Sequence, residues 1–379
     1  MRATEILRFR GCFYQLAKKE QTSTFDRYFP KTKERRKAWE GQDKDQYFKD
    51  RFAHVHARQK QQGHNNSKGK SSRTYDDKSE KKRVNRSPPR LERSPLQDYL
   101  YGTGPVLAAL EAGRRSGYGT LYVGRDEGQM NRRIMQLANE RELNVKYEME
   151  KRDLNRLTNN GVHNGYVLET RPLVLPDLLE LSGGNKPEST YSMVQRAYNV
   201  PTRVDGDLRN AGRNAFGVYI DQVTDTHNIG AIIRSAYFLG ADFLVMSEKN
   251  CAKLNAVVAK ASAGALDLLP LYNAPKPLDF FKRTAQNNWN VVASLPDINK
   301  LPADKRTPVS GLPQLLEDRP TLMVFGSEGE GLRRSLIDIC THGTSLNPPT
   351  SSKVQVDSLN VSVAAALLIS HFHPSSAFD

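Results

Sequence analysis

Four apolar runs set the strongest limit on what this chain can fold into: 215-AFGVYIDQV-223, 242-DFLVMS-247, 290-NVVASL-295 and 321-TLMVFG-326. A strand with one wet face alternates apolar and polar residues. These runs scarcely alternate, so they read as strands covered on both faces. The segments between them carry a helical period, as at Ile229, Ile232, Ile233 and Ala236. Strand, crossover helix and strand in succession predict a mostly parallel sheet. A smaller alternation lies upstream. Residues 105–115 and 130–141 read as helices, 120–124, 144–149 and 165–170 as strands, and 153–158 as a short helix capped by Asp153. The expected organisation is a small α/β domain over 96–175, a linker over 176–212 with 182-SGGNKPEST-190 as its loosest part, and a larger α/β domain over 213–379.

The net charge is +14, and its placement is uneven. Residues 1–95 hold 26 Lys and Arg against 12 Asp and Glu, whereas residues 96–379 hold 30 of each. Basicity as an argument for nucleic acid therefore applies to the N-terminal quarter, and the globular part needs its own argument. Residues 31–95 are too polar to offset chain entropy by burial and are expected to be a disordered basic tail. Residues 1–30 carry six basic and three acidic residues with interspersed Ile6, Leu7, Phe9, Phe13 and Leu16, the composition of a mitochondrial presequence. An ordinary basic chain start has the same composition. Cys12, Cys251 and Cys340 lie in no metal or disulfide spacing, so no metal site is expected. The longest apolar runs, such as 363-VAAALLI-369, are too short to span a bilayer, so no membrane partner is expected.

Three short segments of the last third carry chemistry: 228-NIGAIIRSAYFLGA-241, 324-VFGSEGEGL-332 and 358-SLNVSVAAALL-368. In the first, Asn228 stands where a helix cap would be, and Arg234 lies off the apolar stripe. A guanidinium stays protonated at working pH, so Arg234 is not a ready general base. It can hold a phosphate or stabilise charge growing on an oxygen. The second segment leaves a strand through a Gly-rich turn with spacing G-x-x-G-x-G. That is neither a phosphate loop, since no Gly-Lys-Ser/Thr follows, nor the dinucleotide fingerprint. Glu328 is held within this turn. In the third, Ser358 and Asn360 precede a helix that is apolar nearly all round and is therefore buried, in the core or against a second subunit.

Taken in this order, the three segments resemble the signature motifs of the SpoU-type RNA ribose 2′-O-methyltransferases; FGSEGEGL carries the most specific match. The resemblance implies a trefoil-knotted, mostly parallel sheet, S-adenosylmethionine as cofactor, and homodimers packed through the knot and the C-terminal helix. It implies that Asn228 and Arg234 belong to the catalytic helix, with Arg234 engaging the target ribose and its phosphate, and that Glu328 orients Asn228 or Arg234. Ser358 and Asn360 match positions that contact the target nucleotide. Backbone groups of Gly326, Leu346 and Leu359 are implied to grip the cofactor. The stretches 101-YGTGPVLAALEAGR-114 and 157-LTNNGVHNGYVLET-170 resemble the ribosomal-protein-like substrate-binding domain of the family's ribosomal branch. With the presequence-like start, the expectation is methylation of a guanosine ribose in large-subunit rRNA in the mitochondrial matrix. A tRNA enzyme of the same family, or an RNA-binding assembly factor without catalysis, are the alternatives. The general base stays unassigned, with Arg234 the leading candidate by resemblance.

Overall fold

A computed structural model of the 379-residue chain describes residues 92–125, 131–197, 200–210, 212–346 and 358–372. The presequence expected over 1–30, and the basic tail expected over 31–95 as far as residue 91, lie outside the described residues.

The first part is a four-stranded sheet with three helices. The chain runs β1 (Asp98–Tyr101), α1 (Thr103–Ala112), β2 (Tyr118–Gly124), α2 (Arg132–Glu140), β3 (Asn144–Met149), α3 (Lys151–Thr158) and β4 (Tyr166–Thr170). The strand order is β1-β4-β2-β3. Helix α2 buries Ile134, Leu137 and Ala138, the face that helical spacing predicts. Strand β1 is absent from the sequence reading; its four residues are too few to show a period. Helix α3 starts two residues earlier than expected, so Asp153 lies in its first turn and Glu150 holds the cap position.

The second part is one nine-stranded sheet of order β13-β11-β12-β8-β9-β10-β5-β6-β7. Its parallel part is β8 (Phe216–Ile220), β9 (Phe243–Ser247), β11 (Asn290–Ser294) and β12 (Thr321–Phe325), the four apolar runs, together with β10 (Leu271–Ala274) and the edge strand β13 (His342–Thr344). All pairings among these six strands are parallel. Every residue of β8, β9 and β12 is buried, as two covered faces require. The crossovers carry α4 (Thr226–Phe238), α5 (Ala256–Ala261), α6 (Ala265–Leu268), α7 (Pro277–Gln286), α8 (Leu312–Asp318) and α9 (Arg334–Ile337), and α10 (Val361–Ser370) closes the described chain.

Residues 176–212 are structured differently from the connection expected of them. They form β5 (Asp177–Gly183), β6 (Thr190–Ala197) and β7 (Val200–Asp207), an antiparallel extension of the main sheet. Leu178, Leu181, Tyr191 and Met193 are buried with Tyr219 and Phe243 in one core cluster. The Gly-, Ser- and Pro-rich stretch is the loop joining β5 to β6, and its composition hid the strands on either side.

Candidate active site

The site lies where parallel strands end, at the carboxyl edge of the sheet, the usual ligand position of such folds. Strand β12 runs into Gly326, and the chain then turns back sharply. Ser327 N–H donates to the Gly331 carbonyl and Gly331 N–H to the Ser327 carbonyl, each at 3.1 Å. Gly331 has φ +71°, and a Cβ on Gly326 would lie 2.2 Å from the Leu332 nitrogen. Both positions therefore need glycine, the first for backbone conformation and the second for close approach.

The turn is anchored by a pair absent from the sequence reading. Arg333, just after the turn, donates from Nε to Asp221 Oδ2 at 2.7 Å and from Nη2 to Asp221 Oδ1 at 2.6 Å. Asp221 follows β8, and its side chain is buried. The bonds to this carboxylate push the Arg333 pKa up from its ordinary value. The residues are 112 apart in sequence, so no local pattern could reveal the pair. Removing the guanidinium would leave a buried carboxylate unpaired. Arg333→Met is expected to lower stability by about 1–3 kcal/mol and to weaken ligand binding at the turn, measured by thermal unfolding and calorimetry.

Helix α4 begins earlier than the sequence suggested. Its cap is Asp225, whose carboxylate accepts from His227 N–H at 2.7 Å. Asn228 is therefore the third residue of the helix, and its side chain is free for other contacts. Its amide bridges the other two motifs. Asn228 Nδ2 donates to Glu328 Oε1, and Asn360 Nδ2 donates to Asn228 Oδ1 at 3.1 Å. Asn360 caps α10, its Oδ1 accepting from the Ser362 N–H at 2.8 Å. The order of donors follows from that cap. Ser362 N–H must meet oxygen, so Asn360 presents its NH₂ to Asn228, whose own NH₂ then faces the Glu328 carboxylate. Asn360→Ala removes both the cap and the bridge. The expected result is a stability loss of about 1 kcal/mol with a larger loss of activity, read by unfolding and by turnover.

The adjacent cavity, of about 420 Å³, is lined by residues of the second and third motifs, among them Gly326, Glu328, Leu346, Ser358, Leu359 and Asn360. Its volume lies in the range of small-molecule sites. Ser294, which ends β11, and Leu295, Pro296 and Lys300, which follow it, form another wall that the sequence reading did not anticipate. Arg234 is outside this lining. It is exposed on α4, on a helical stripe with His227, Ala231 and Phe238, and no hydrogen bond or ion pair to it occurs among the described residues. One copy of the chain thus brings together Asn228, Glu328 and Asn360 and leaves Arg234 on an open face. Residues 347–357, which join Leu346 to Ser358, lie outside the described residues.

Among the described residues no group of His, Cys, Asp or Glu could hold a metal ion, and no helix is long and apolar enough to cross a membrane.

A small α/β unit followed by a mostly parallel sheet with a Gly-rich turn at its carboxyl edge defines a class, and comparison with known proteins supplies the family. Residues 215–370 match the SpoU rRNA Methylase family, residues 99–175 the RNA 2′-O ribose methyltransferase substrate binding model, and residues 2–97 the MRM1 N-terminal domain. The chain is 35% identical over 384 residues to rRNA methyltransferase 1, mitochondrial, of Saccharomyces cerevisiae, covering 93% of this chain and 92% of the relative. It is 28% identical over 279 residues to the Homo sapiens protein of the same name, covering 72% of this chain and 71% of that one. The chain belongs to the SpoU rRNA methylase family and is an RNA methyltransferase. Among solved structures, the AdoMet-bound rRNA methyltransferase from Sinorhizobium meliloti shares the fold with a TM-score of 0.51 at 17% identity, over 73% of this chain and 87% of that one. The SpoU methyltransferase AviRb from Streptomyces viridochromogenes, in complex with AdoMet, shares it with a TM-score of 0.50 at 20% identity, over 73% and 89%.

Proposed function

We propose that this protein transfers a methyl group from S-adenosylmethionine to a guanosine ribose 2′-hydroxyl of large-subunit rRNA in the mitochondrial matrix. The observation that carries the reading is the junction of all three motifs, the Glu328–Asn228–Asn360 chain, beside a cavity lined by Gly326, Leu346 and Leu359. The missing side chain at Gly326 lets the Gly331–Leu332 backbone fold close against it and shape this edge of the cavity, and main-chain groups there can read an adenine edge without charged side chains. When bound, S-adenosylmethionine supplies the methyl group. The residues of the chain hold and orient: Asn228 is fixed by Glu328 and Asn360, Ser358 and Asn360 face the incoming nucleotide, and Arg234 holds ribose and phosphate. The substrate-binding match over 99–175 and the names of the relatives favour rRNA over tRNA. Residues 1–30 serve as the presequence, 31–95 as a basic tail and 213–379 as the knotted methyltransferase domain in this reading.

The reading includes a homodimer. Phe238 on α4 is 76% exposed, and Val363 and Leu367 on α10, with Leu359 just before it, are each nearly half exposed. Isolated apolar side chains are ordinary on a surface, but three on two packed helices with a fourth beside them suit an interface. Arg234 sits one turn from Phe238, so pairing through this face would bring it toward a partner's cavity. Leu367→Glu is expected to yield monomers in sedimentation and to lose activity with them.

The test is transfer of labelled methyl from S-adenosylmethionine to mitochondrial large-subunit rRNA by the purified chain, followed by nucleoside analysis. A single 2′-O-methylguanosine is expected. Label confined to tRNA, or none in any RNA with cofactor bound, would reject the reading.

A further inference from the structure

The corner between α5 and α6 is wedged between two helices with different tasks. On one side it meets α4, which carries Asn228 and Arg234. A Cβ on Gly230 would lie 2.4 Å from Ala261 Cβ and 3.1 Å from the Ser262 nitrogen. On the other side it meets α1 of the substrate-binding part. A Cβ on Gly264, whose φ is +97°, would lie 2.7 Å from Ala108 Cβ and 2.9 Å from the Gly104 carbonyl oxygen. The contacts leave no slack, so a shift of α1 is passed through the corner to α4.

A buried ion pair spans the same junction. Arg115 follows α1, and its side chain is fully buried, as is that of Asp267 on α6. The guanidinium donates from Nε to Asp267 Oδ1 at 2.7 Å and from Nη2 to Asp267 Oδ2 at 3.2 Å. Its Nη1 reaches back to Asp98 Oδ2 at 3.3 Å, Thr170 Oγ1 at 3.2 Å and the Arg171 carbonyl at 3.3 Å. The neighbouring Arg114 donates to the Leu269 carbonyl at the end of α6. One planar fork thus holds the start of β1, the end of β4 and the catalytic part at once. A lysine, a point charge with free rotation, cannot do the same.

Such a pair is a poor way to gain stability. Desolvating two charges offsets most of their attraction, and an apolar pair of similar volume often serves as well. What the pair supplies is a single angle between the parts. We infer that Arg115 and Asp267 are positioning residues that set how the substrate-binding domain presents the RNA to the site at Asn228. The target nucleotide is chosen by this rigid geometry. The inference rests on the methyl-transfer reading above.

The test uses the full chain carrying Arg115→Met with Asp267→Leu, which removes both charges and puts apolar side chains in their place. Unfolding midpoint, S-adenosylmethionine affinity, kcat and KM on the rRNA, and the position of each new 2′-O-methyl by primer extension are measured. The expected variant folds and binds cofactor as wild type does. Its kcat/KM on rRNA falls at least tenfold, and methyl groups appear at riboses neighbouring the wild-type position. Arg115→Lys should recover part of the rate and part of the fidelity. Gly104→Ala, which keeps the pair but sets a methyl 3.1 Å from the Ala263 carbonyl, should shift fidelity in the same sense by less. Wild-type fidelity and rate in a folded double variant would overturn the inference. If the double variant does not fold, wild-type fidelity in both Arg115→Lys and Gly104→Ala would do so. If the wild type itself leaves rRNA unmethylated, the functional reading fails first, and fidelity is compared on whichever RNA it does modify.

Discussion

Arg234→Ala is expected to lower methyl transfer by about a hundredfold to a thousandfold, the usual loss when one charge-stabilising donor leaves an active site. Arg234 is exposed, its side chain has no hydrogen bond or ion pair among the described residues, and it lies outside the cavity lining. Its removal should therefore leave the unfolding midpoint within about 0.5 kcal/mol of wild type. Cofactor affinity should also be unchanged. A mixture of Arg234→Ala with a second variant defective at the cavity, such as Glu328→Ala, gives a further readout. If Arg234 serves a partner's cavity, mixed dimers regain one working site and activity returns. If it serves its own chain, mixing restores nothing. Turnover by Arg234→Ala close to wild type would leave the enzyme standing and remove its main substrate contact.

Gly326→Ala should act by a different route. The added methyl would meet the Leu332 nitrogen at 2.2 Å, the Gly331 carbonyl carbon at 2.3 Å and its oxygen at 2.6 Å. All three are backbone atoms, held by the paired Ser327–Gly331 hydrogen bonds, so no side chain can swing aside. The turn must open, at a cost of about 1–3 kcal/mol in stability by analogy with overpacked cores. Because the same turn lines the cavity, cofactor affinity should fall at least tenfold, roughly 1.4 kcal/mol. Gly329→Ala is the matched control. A Cβ there meets nothing within 4 Å, and stability should change by no more than about 0.5 kcal/mol. Calorimetric titration and thermal unfolding of the two variants separate the effects. Equal behaviour of both would mean that the turn is softer than its contacts imply.

The four long apolar runs and the helical spacing of Ile229, Ile232, Ile233 and Ala236 were legible in the sequence, because burial on two faces or along one stripe imposes a local pattern. The motif residues were legible too, since each lies in a short string. What they touch was legible only in part. Glu328 is expected from the sequence to orient Asn228 or Arg234, and the start of α4 at Thr226 takes Asn228 out of the cap position and lets it bridge Glu328 and Asn360. The strands of 177–207 were masked by a loop of turn-forming residues between them.

The sequence by itself determined the sheet's central strands, the family and the residues offered for chemistry. Hydrophobic period and short motifs act over a few residues and survive being read one segment at a time. The tertiary structure alone decided that Asp221 anchors the Gly-rich turn through Arg333 and that Arg115 joins the two parts through Asp267. It also decided that Arg234 is exposed and outside the lining of its own chain's cavity. Pairs 112 and 152 residues apart have no local signature, since their energy exists only after the chain has closed around them.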